Sequence, residues 1–167
     1  NGAVWFPHQW MVWKALLDLG EGEKAYQLAT TALNTWEKEC KESYYTFEHF
    51  IISSQRGAGW HQFSGLSSPI LNWFAAYYRI GKVSTGFEVW ISNSHFNDDY
   101  TQYQAEIAFD DSTVPHQRTI LVCMNPEKDY QITFNGKVVE SRIYHQGLLE
   151  ITLPSTNKSG KLTVASI

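Results

Sequence analysis

The chain has 167 residues, enough for one large domain or two small ones with a hydrophobic core. Hydrophobic residues make up 43% and charged residues 18%, which is typical of a globular chain, but the aromatic share of 15% is high. The formal net charge is −4, without any Lys/Arg cluster, and no apolar run reaches about 18 residues. Composition therefore argues against a nucleic-acid binder, a binder of anionic membranes and a membrane-spanning chain.

Cys40 and Cys123 lie in different halves of the sequence, so we do not expect a disulfide framework. The chain starts at Asn1 within dense aromatic sequence. We interpret it as a fragment of a longer protein.

The first half has helical hydrophobic spacing. Residues 9–19 are apolar on nearly every side, which predicts a helix buried in a larger helical assembly and ending at Gly20. Residues 22–41 carry an apolar stripe with charged residues away from it, which predicts an amphipathic helix. A third helix is predicted over 68–79, with Ser68 as its N-cap and Pro69 at its first position.

After Gly81 the hydrophobic period changes to two residues. Seven short strands are predicted, at 85–92, 101–109, 118–125, 129–134, 137–144, 148–153 and 161–167. Asn135-Gly136 between two of them is typical of a two-residue hairpin turn. The chain is thus predicted to be α+β, with helices over 1–80 followed by an antiparallel β-sandwich over 84–167.

Residues 43–66, "SYYTFEHFIISSQRGAGWHQFSGL", surround a single acid, Glu48, with many rings. We expect a loop here, in which Gly57 and Gly59 allow tight turns. An aromatic pocket around a carboxyl group suits general acid/base chemistry, and aromatic faces stack on sugar rings. In the alternative interpretation Glu48 is a surface residue and the rings only seal helix ends. The rings closest to Glu48 in sequence are Tyr44, Tyr45, Phe47, Phe50, Trp60 and Phe63.

Three segments in order, "GAVWFPHQWMVWKALLDLG", "YYTFEHF" and "GAGWHQFSGLSSPILNWFAAYY", carry a family resemblance. Together they resemble the C-terminal hairpins of (α/α)6-barrel glycoside hydrolases, above all the clan of trehalases, processing α-glucosidase and mannosylglycerate hydrolase. The motifs cover residues 2–78. The chain departs from the family pattern at "EHF", where "EYY", "EKY" or "ENY" is more frequent, and at "HQFSG", where "FSW" or "FGW" is frequent.

The resemblance implies that residues 1–80 are the last helices of a catalytic barrel and that 84–167 are an accessory sandwich. It makes Glu48 the general base of an inverting hydrolase, which activates the water that attacks the anomeric carbon. The general acid, about 6.5–9.5 Å away, would lie on an earlier barrel segment, and no residue here matches it. The implied partners are an oligosaccharide or glycoside and the remainder of the barrel, and no cofactor is implied.

The same resemblance places further residues in the sugar cleft. Trp5, His8 and Gln9 match a segment that lines it, with Phe6 and Trp10 beside them; the alternative is that the tryptophans pack between helices. Another group of cleft candidates follows the glycine turn, where polar side chains would bond sugar hydroxyls: Trp60, His61 and Gln62. For His61 the alternative is a helix-capping role.

No metal site is expected, because the spacings of His8, His49, His61 and Glu48 fit no standard zinc motif. A periplasmic or secreted location suits a polysaccharide degrader, but no residue here indicates it.

Two other functions remain open. In a related sugar phosphorylase, phosphate would replace water, and His61, Ser64 and the backbone at Gly65 would bind it. The other is a non-catalytic carbohydrate-binding or structural module, for which Trp90, Tyr100 and Tyr103 would form an aromatic row on the sandwich.

Overall fold

A computed structural model of the protein describes residues 2–167. The helices are α1 (Phe6–Asp18), α2 (Gly22–Ser43), α3 (Ser64–Ser67) and α4 (Pro69–Tyr78). The three predicted helices are therefore confirmed, and the one-turn helix α3 was not predicted. None of the helices in residues 2–167 is long and apolar enough to cross a membrane.

The strands pair antiparallel throughout the described residues. The first three are β1 (Ala3–Val4), β2 (Phe47–Ile51) and β3 (Arg56–His61). The rest are β4 (Val83–Ser84), β5 (Val89–Phe96), β6 (Gln102–Phe109), β7 (Arg118–Cys123), β8 (Tyr130–Phe134), β9 (Lys137–Val138), β10 (Ser141–Ile143), β11 (Leu148–Leu153) and β12 (Gly160–Ser166). Helices with antiparallel sheets confirm the predicted α+β class.

The chain forms two compact units. The helical unit comprises the residues up to Trp13 and Glu23–Ala75, and the sandwich unit comprises Lys14–Gly22 and Ala76–Ile167. The segment Lys14–Gly22 belongs to the sandwich unit because the Asp18 carboxylate accepts hydrogen bonds from the amides of Phe87 (2.6 Å) and Glu88 (3.0 Å). Burial of Asp18 raises the pKa of its carboxyl group. The domain division predicted near Gly81 stays a prediction.

The helical unit contains a three-stranded sheet in the order β1-β2-β3. The expectation of a loop over this stretch is wrong, because β2 and β3 form a hairpin and β1 pairs with β2. Phe6 of α1 stacks on Phe50 of β2 at 4.7 Å and meets Trp73 of α4 edge-on at 5.8 Å. All three rings are buried, so they join the sheet to two helices in one core.

Helices α1 and α4 also present apolar side chains to solvent. Met11 and Val12 of α1 are each 48% exposed, whereas Leu71 and Phe74 of α4 are 73% and 56% exposed. These exposures describe this chain alone, so the predicted burial of the first helix in a larger helical assembly stays a prediction.

Helix α4 begins differently from the prediction. Pro69 opens the helix as predicted, but Ser68 is not its N-cap. Ser68 has helical φ and ψ of −55° and −30°, and its hydroxyl donates to the carbonyl of Gly65 at 2.8 Å. A residue in that conformation continues the preceding turn, so α3 leads directly into α4.

The sandwich unit contains two sheets, ordered β10-β11-β7-β4 and β5-β6-β12-β8-β9. One hydrophobic cluster is built from both sheets, with Ile120, Val122 and Ile151 from the first and Ile107 and Leu162 from the second. All seven predicted strand segments contain strands. The segment 137–144 divides into β9 and β10, which belong to different sheets, and β4 was not predicted.

Candidate functional site

Glu48 lies on β2 where the hairpin is irregular. Phe47 pairs with His61 and His49 pairs with Ala58, so Gly59 and Trp60 together lie opposite Glu48. This β-bulge adds one residue to β3 and re-aims its backbone, a device that is frequent beside active sites. Oε2 of Glu48 accepts a hydrogen bond from the Trp60 amide at 3.2 Å. The half-buried carboxylate is thus fixed by a backbone donor.

The bulge also brings His49 to the Glu48 carboxylate. A Cβ atom built on Gly59 would lie 2.5 Å from Glu48 Oε2 and 2.9 Å from His49 Cε1, so both groups border the same small space. The ring of Trp5 follows, 5.2 Å from the His49 ring. The structure therefore connects Trp5, His49, Glu48 and Trp60 in one continuous cluster, which we call the Glu48 cluster.

The remaining rings of the predicted pocket separate into other groups. Tyr45 contacts the His61 ring at 5.3 Å, and Phe47 is the cross-strand partner of His61. Trp60 is 72% exposed and meets Phe63 edge-on at 6.0 Å. Phe50 belongs to the core, where it stacks on Phe6. Trp60 is thus joined to Glu48 through its backbone amide, while its ring packs against Phe63.

Gln9 points to a different place from Glu48. It lines a cavity of about 440 Å³ in the helical unit, whose other walls include Phe6, Leu28 and Phe50 and do not include Glu48. His8 is exposed in the first turn of α1. His61 and Gln62 are exposed at the end of the hairpin, and Gln62 has a positive φ of 61°. Of the predicted cleft residues, the structure places only Trp5 and Trp60 in the Glu48 cluster.

Ser64 and Gly65, the phosphate-binding candidates, line a separate cavity of about 410 Å³ in the helical unit. Its walls include Trp36, Thr46 and Ser67, and His61 is not among them. The three groups suggested for phosphate therefore do not line one common cavity.

The position of His49 beside Glu48 was not predicted from the sequence, because His49 was considered only as a metal ligand. Its one signal was its position directly after Glu48. Within residues 2–167, no group of three or more His, Cys, Asp or Glu side chains is arranged to hold a metal ion.

The proposed aromatic row on the sandwich is not formed. Trp90 and Tyr100 are 53% and 40% exposed, but Tyr103 is fully buried and its hydroxyl accepts a hydrogen bond from Ser94. Burial raises the pKa of the Tyr103 hydroxyl, in keeping with a core residue. A row of three exposed rings is therefore wrong.

No protein-family model matches this chain, and no curated protein matches it.

Proposed function

We propose that this chain is the C-terminal part of an inverting (α/α)6-barrel glycoside hydrolase and that Glu48 is its general base. The observation that carries the proposal is the Glu48 cluster. It combines a carboxylate that accepts a hydrogen bond from the Trp60 backbone amide with the exposed side chain of that same Trp60. A carboxylate oriented by the amide of a residue whose ring is exposed suits proton transfer near a stacked sugar.

The two carboxylate oxygens have different tasks in this mechanism. The Trp60 amide occupies Oε2, which orients the group, and we assign proton transfer to Oε1. Oε1 takes a proton from a water molecule as that water attacks the anomeric carbon, and the leaving group departs from the opposite face. Product of inverted configuration results from this single displacement.

The substrate is a neutral glycoside or oligosaccharide. Trp60 exposes 72% of its surface, enough to offer a stacking face to a pyranose ring, and Trp5 extends the Glu48 cluster by way of His49. His8, Gln9, His61 and Gln62 remain candidates for contacts at more distant sugar positions.

The general acid and the remaining barrel helices belong to the rest of the parent protein in this proposal. The exposed apolar side chains of α1 and α4 support it, because a helix that is apolar on several faces is usually buried between neighbours. The sandwich acts as a structural accessory domain.

The test is Glu48→Gln in the active enzyme that contains this chain. Gln keeps the size of Glu and its capacity to accept the Trp60 hydrogen bond but lacks a basic oxygen, so kcat should fall by about 100-fold or more with little change in KM. Glu37→Gln is the matched control, because Glu37 is a 57% exposed acid of α2. Near-normal kcat in Glu48→Gln would exclude Glu48 as the base.

The same assay separates hydrolysis from phosphorolysis. A hydrolase keeps its rate when phosphate is omitted, and we expect that result. A strict requirement for phosphate, with sugar phosphate as product, would instead identify a phosphorylase.

A further inference from the structure

We infer that Gly59 is a positioning residue for Glu48: the absence of a side chain at this point lets the bulge direct the Trp60 amide at the carboxylate. This inference rests on the proposed function in what it says about catalysis. Its structural part concerns one hydrogen bond and can be tested without any reaction.

Two independent features favour glycine at position 59. Its φ of +77° lies in the left-handed region, which side chains with a Cβ atom rarely adopt. A Cβ atom would also lie 2.5 Å from Glu48 Oε2 and 3.0 Å from Glu48 Cβ. Any other L-residue must therefore displace the carboxylate or open the bulge.

The bulge is held from its other end by α2. Glu39 Oε2 accepts the amide of Gly57 at 2.9 Å and the side chain of Arg56 at 2.6 Å. This fixes the start of β3 two residues before Gly59. Since the backbone of β3 is fixed there, the conformation of Gly59 decides where the next amide, that of Trp60, points.

Gly57 provides a matched control on the same strand. A Cβ atom on Gly57 would also clash, but with the ring of Phe47, and the φ of Gly57 is not in the left-handed region. Ala at either position strains the hairpin. Only at position 59 does the added methyl group clash with Glu48.

The first experiment follows the Trp60 backbone amide by ¹H–¹⁵N NMR of the 167-residue chain between pH 3 and 8. An amide that donates to a carboxylate changes its proton shift as that carboxylate ionises. We expect this pH-dependent shift in the wild type and in Gly57→Ala, and its loss in Glu48→Gln and in Gly59→Ala. A wild-type amide that does not follow pH, or a Gly59→Ala chain that keeps the shift, overturns the inference.

The variant Gly59→Asn distinguishes the effect of the positive φ from the effect of the steric clash with Glu48. Asn tolerates a positive φ better than most residues but carries a Cβ atom. Because the clash with Glu48 remains, we expect the Trp60 shift to be lost here too. If Asn preserves the shift, steric contact with Glu48 is not the reason for glycine, and the positioning role fails.

The second experiment measures kinetics in the active enzyme that contains this chain. Gly59→Ala should lower kcat by about 10- to 100-fold, as expected for a displaced catalytic group, while KM changes by less than about twofold. Gly57→Ala, scaled to its folded fraction, should keep kcat within about threefold of the wild type. Equal kcat losses in both variants would indicate general strain in the hairpin and contradict positioning by Gly59.

Failure of the proposed function and failure of this inference can be told apart. If Glu48→Gln keeps its activity, the proposed function is wrong, yet the NMR comparison still decides whether Gly59 directs the Trp60 amide.

Discussion

Two acids of the helical unit, Glu39 and Glu48, differ in their burial and in the partners of their carboxylates. Glu39 is 2% exposed and receives hydrogen bonds from the Arg56 guanidinium and the Gly57 amide, which hold the pKa of its carboxyl group at about 2. Both of its carboxylate oxygens accept hydrogen bonds from the start of β3, and these bonds hold β3 to α2. Glu48 accepts one hydrogen bond, from the backbone amide of the exposed residue Trp60. Of these two acids, only Glu48 therefore fits the proposed role of general base.

The Glu39 contact predicts a pH dependence of stability. Its folded-state pKa is lowered from 4.5 to about 2, so its contribution is fully present above about pH 4.5 and is lost as pH falls through 2. The free energy of unfolding, measured by urea titration, should therefore fall between pH 4.5 and 2. Glu39→Gln should be less stable at pH 6 and should show a flatter pH profile in that window.

The exposed acid Glu37 is the control for this measurement. It pairs with Lys41 across one turn of α2, and both side chains are more than half exposed. Glu37→Gln should change the free energy of unfolding by no more than about 0.5 kcal/mol and leave the slope unchanged. Equal slopes in the wild type and Glu39→Gln would contradict the account of Glu39.

At the scale of elements, the two β-hairpins show what local sequence can predict. Asn135-Gly136 joins β8 to β9 as a two-residue turn, with φ values of 51° and 75°, because these residue types tolerate left-handed backbone. The β2-β3 hairpin was missed. Its β3 strand contains two glycines, its apolar alternation is weak, and its position depends on β1 and on Glu39, which are distant in sequence.

The hairpin turn at Gly136 gives a prediction about glycine conformation. Nothing lies within 4 Å of a Cβ atom at this position, so Gly136→Ala costs only the left-handed backbone, about 1–2 kcal/mol of unfolding free energy. Gly65 of α3 is equally open but does not have a positive φ. Gly65→Ala should be neutral or slightly stabilising in thermal unfolding. Equal effects of the two substitutions would be inconsistent with a conformational cause.

Across the whole molecule, the sequence predicted the helices and the strands of the sandwich better than it predicted the site. The change of hydrophobic period at Gly81 correctly predicted strands after it and three helices before it, but it missed the β1-β2-β3 sheet among those helices. The site depends on a bulge that brings His49 to Glu48 and on the burial of Phe50 in the core. Neither feature can be predicted from the spacing of residues in the sequence. For the same reason Gln9, close to Trp5 in sequence, lines a cavity that Glu48 does not.

A whole-molecule prediction follows from the proposed division of the active site. The isolated 167-residue chain supplies a base without its general acid, so we expect no measurable turnover of aryl glycosides. Continuous release of a chromogenic leaving group is the measurement, with the parent enzyme as positive control. Clear turnover by the purified chain, abolished by Glu48→Gln, would show that the chain contains a complete site.

If Glu48 is the water-activating base of an inverting glycosidase, as we propose, azide should bypass the need for it. Azide needs no deprotonation, so it should partly restore cleavage by the Glu48→Gln variant of the parent enzyme. The measurement is ¹H NMR of the first-formed product, and we predict a glycosyl azide of inverted anomeric configuration. A first-formed product that retains the configuration of the substrate, with azide or with water, would contradict the account.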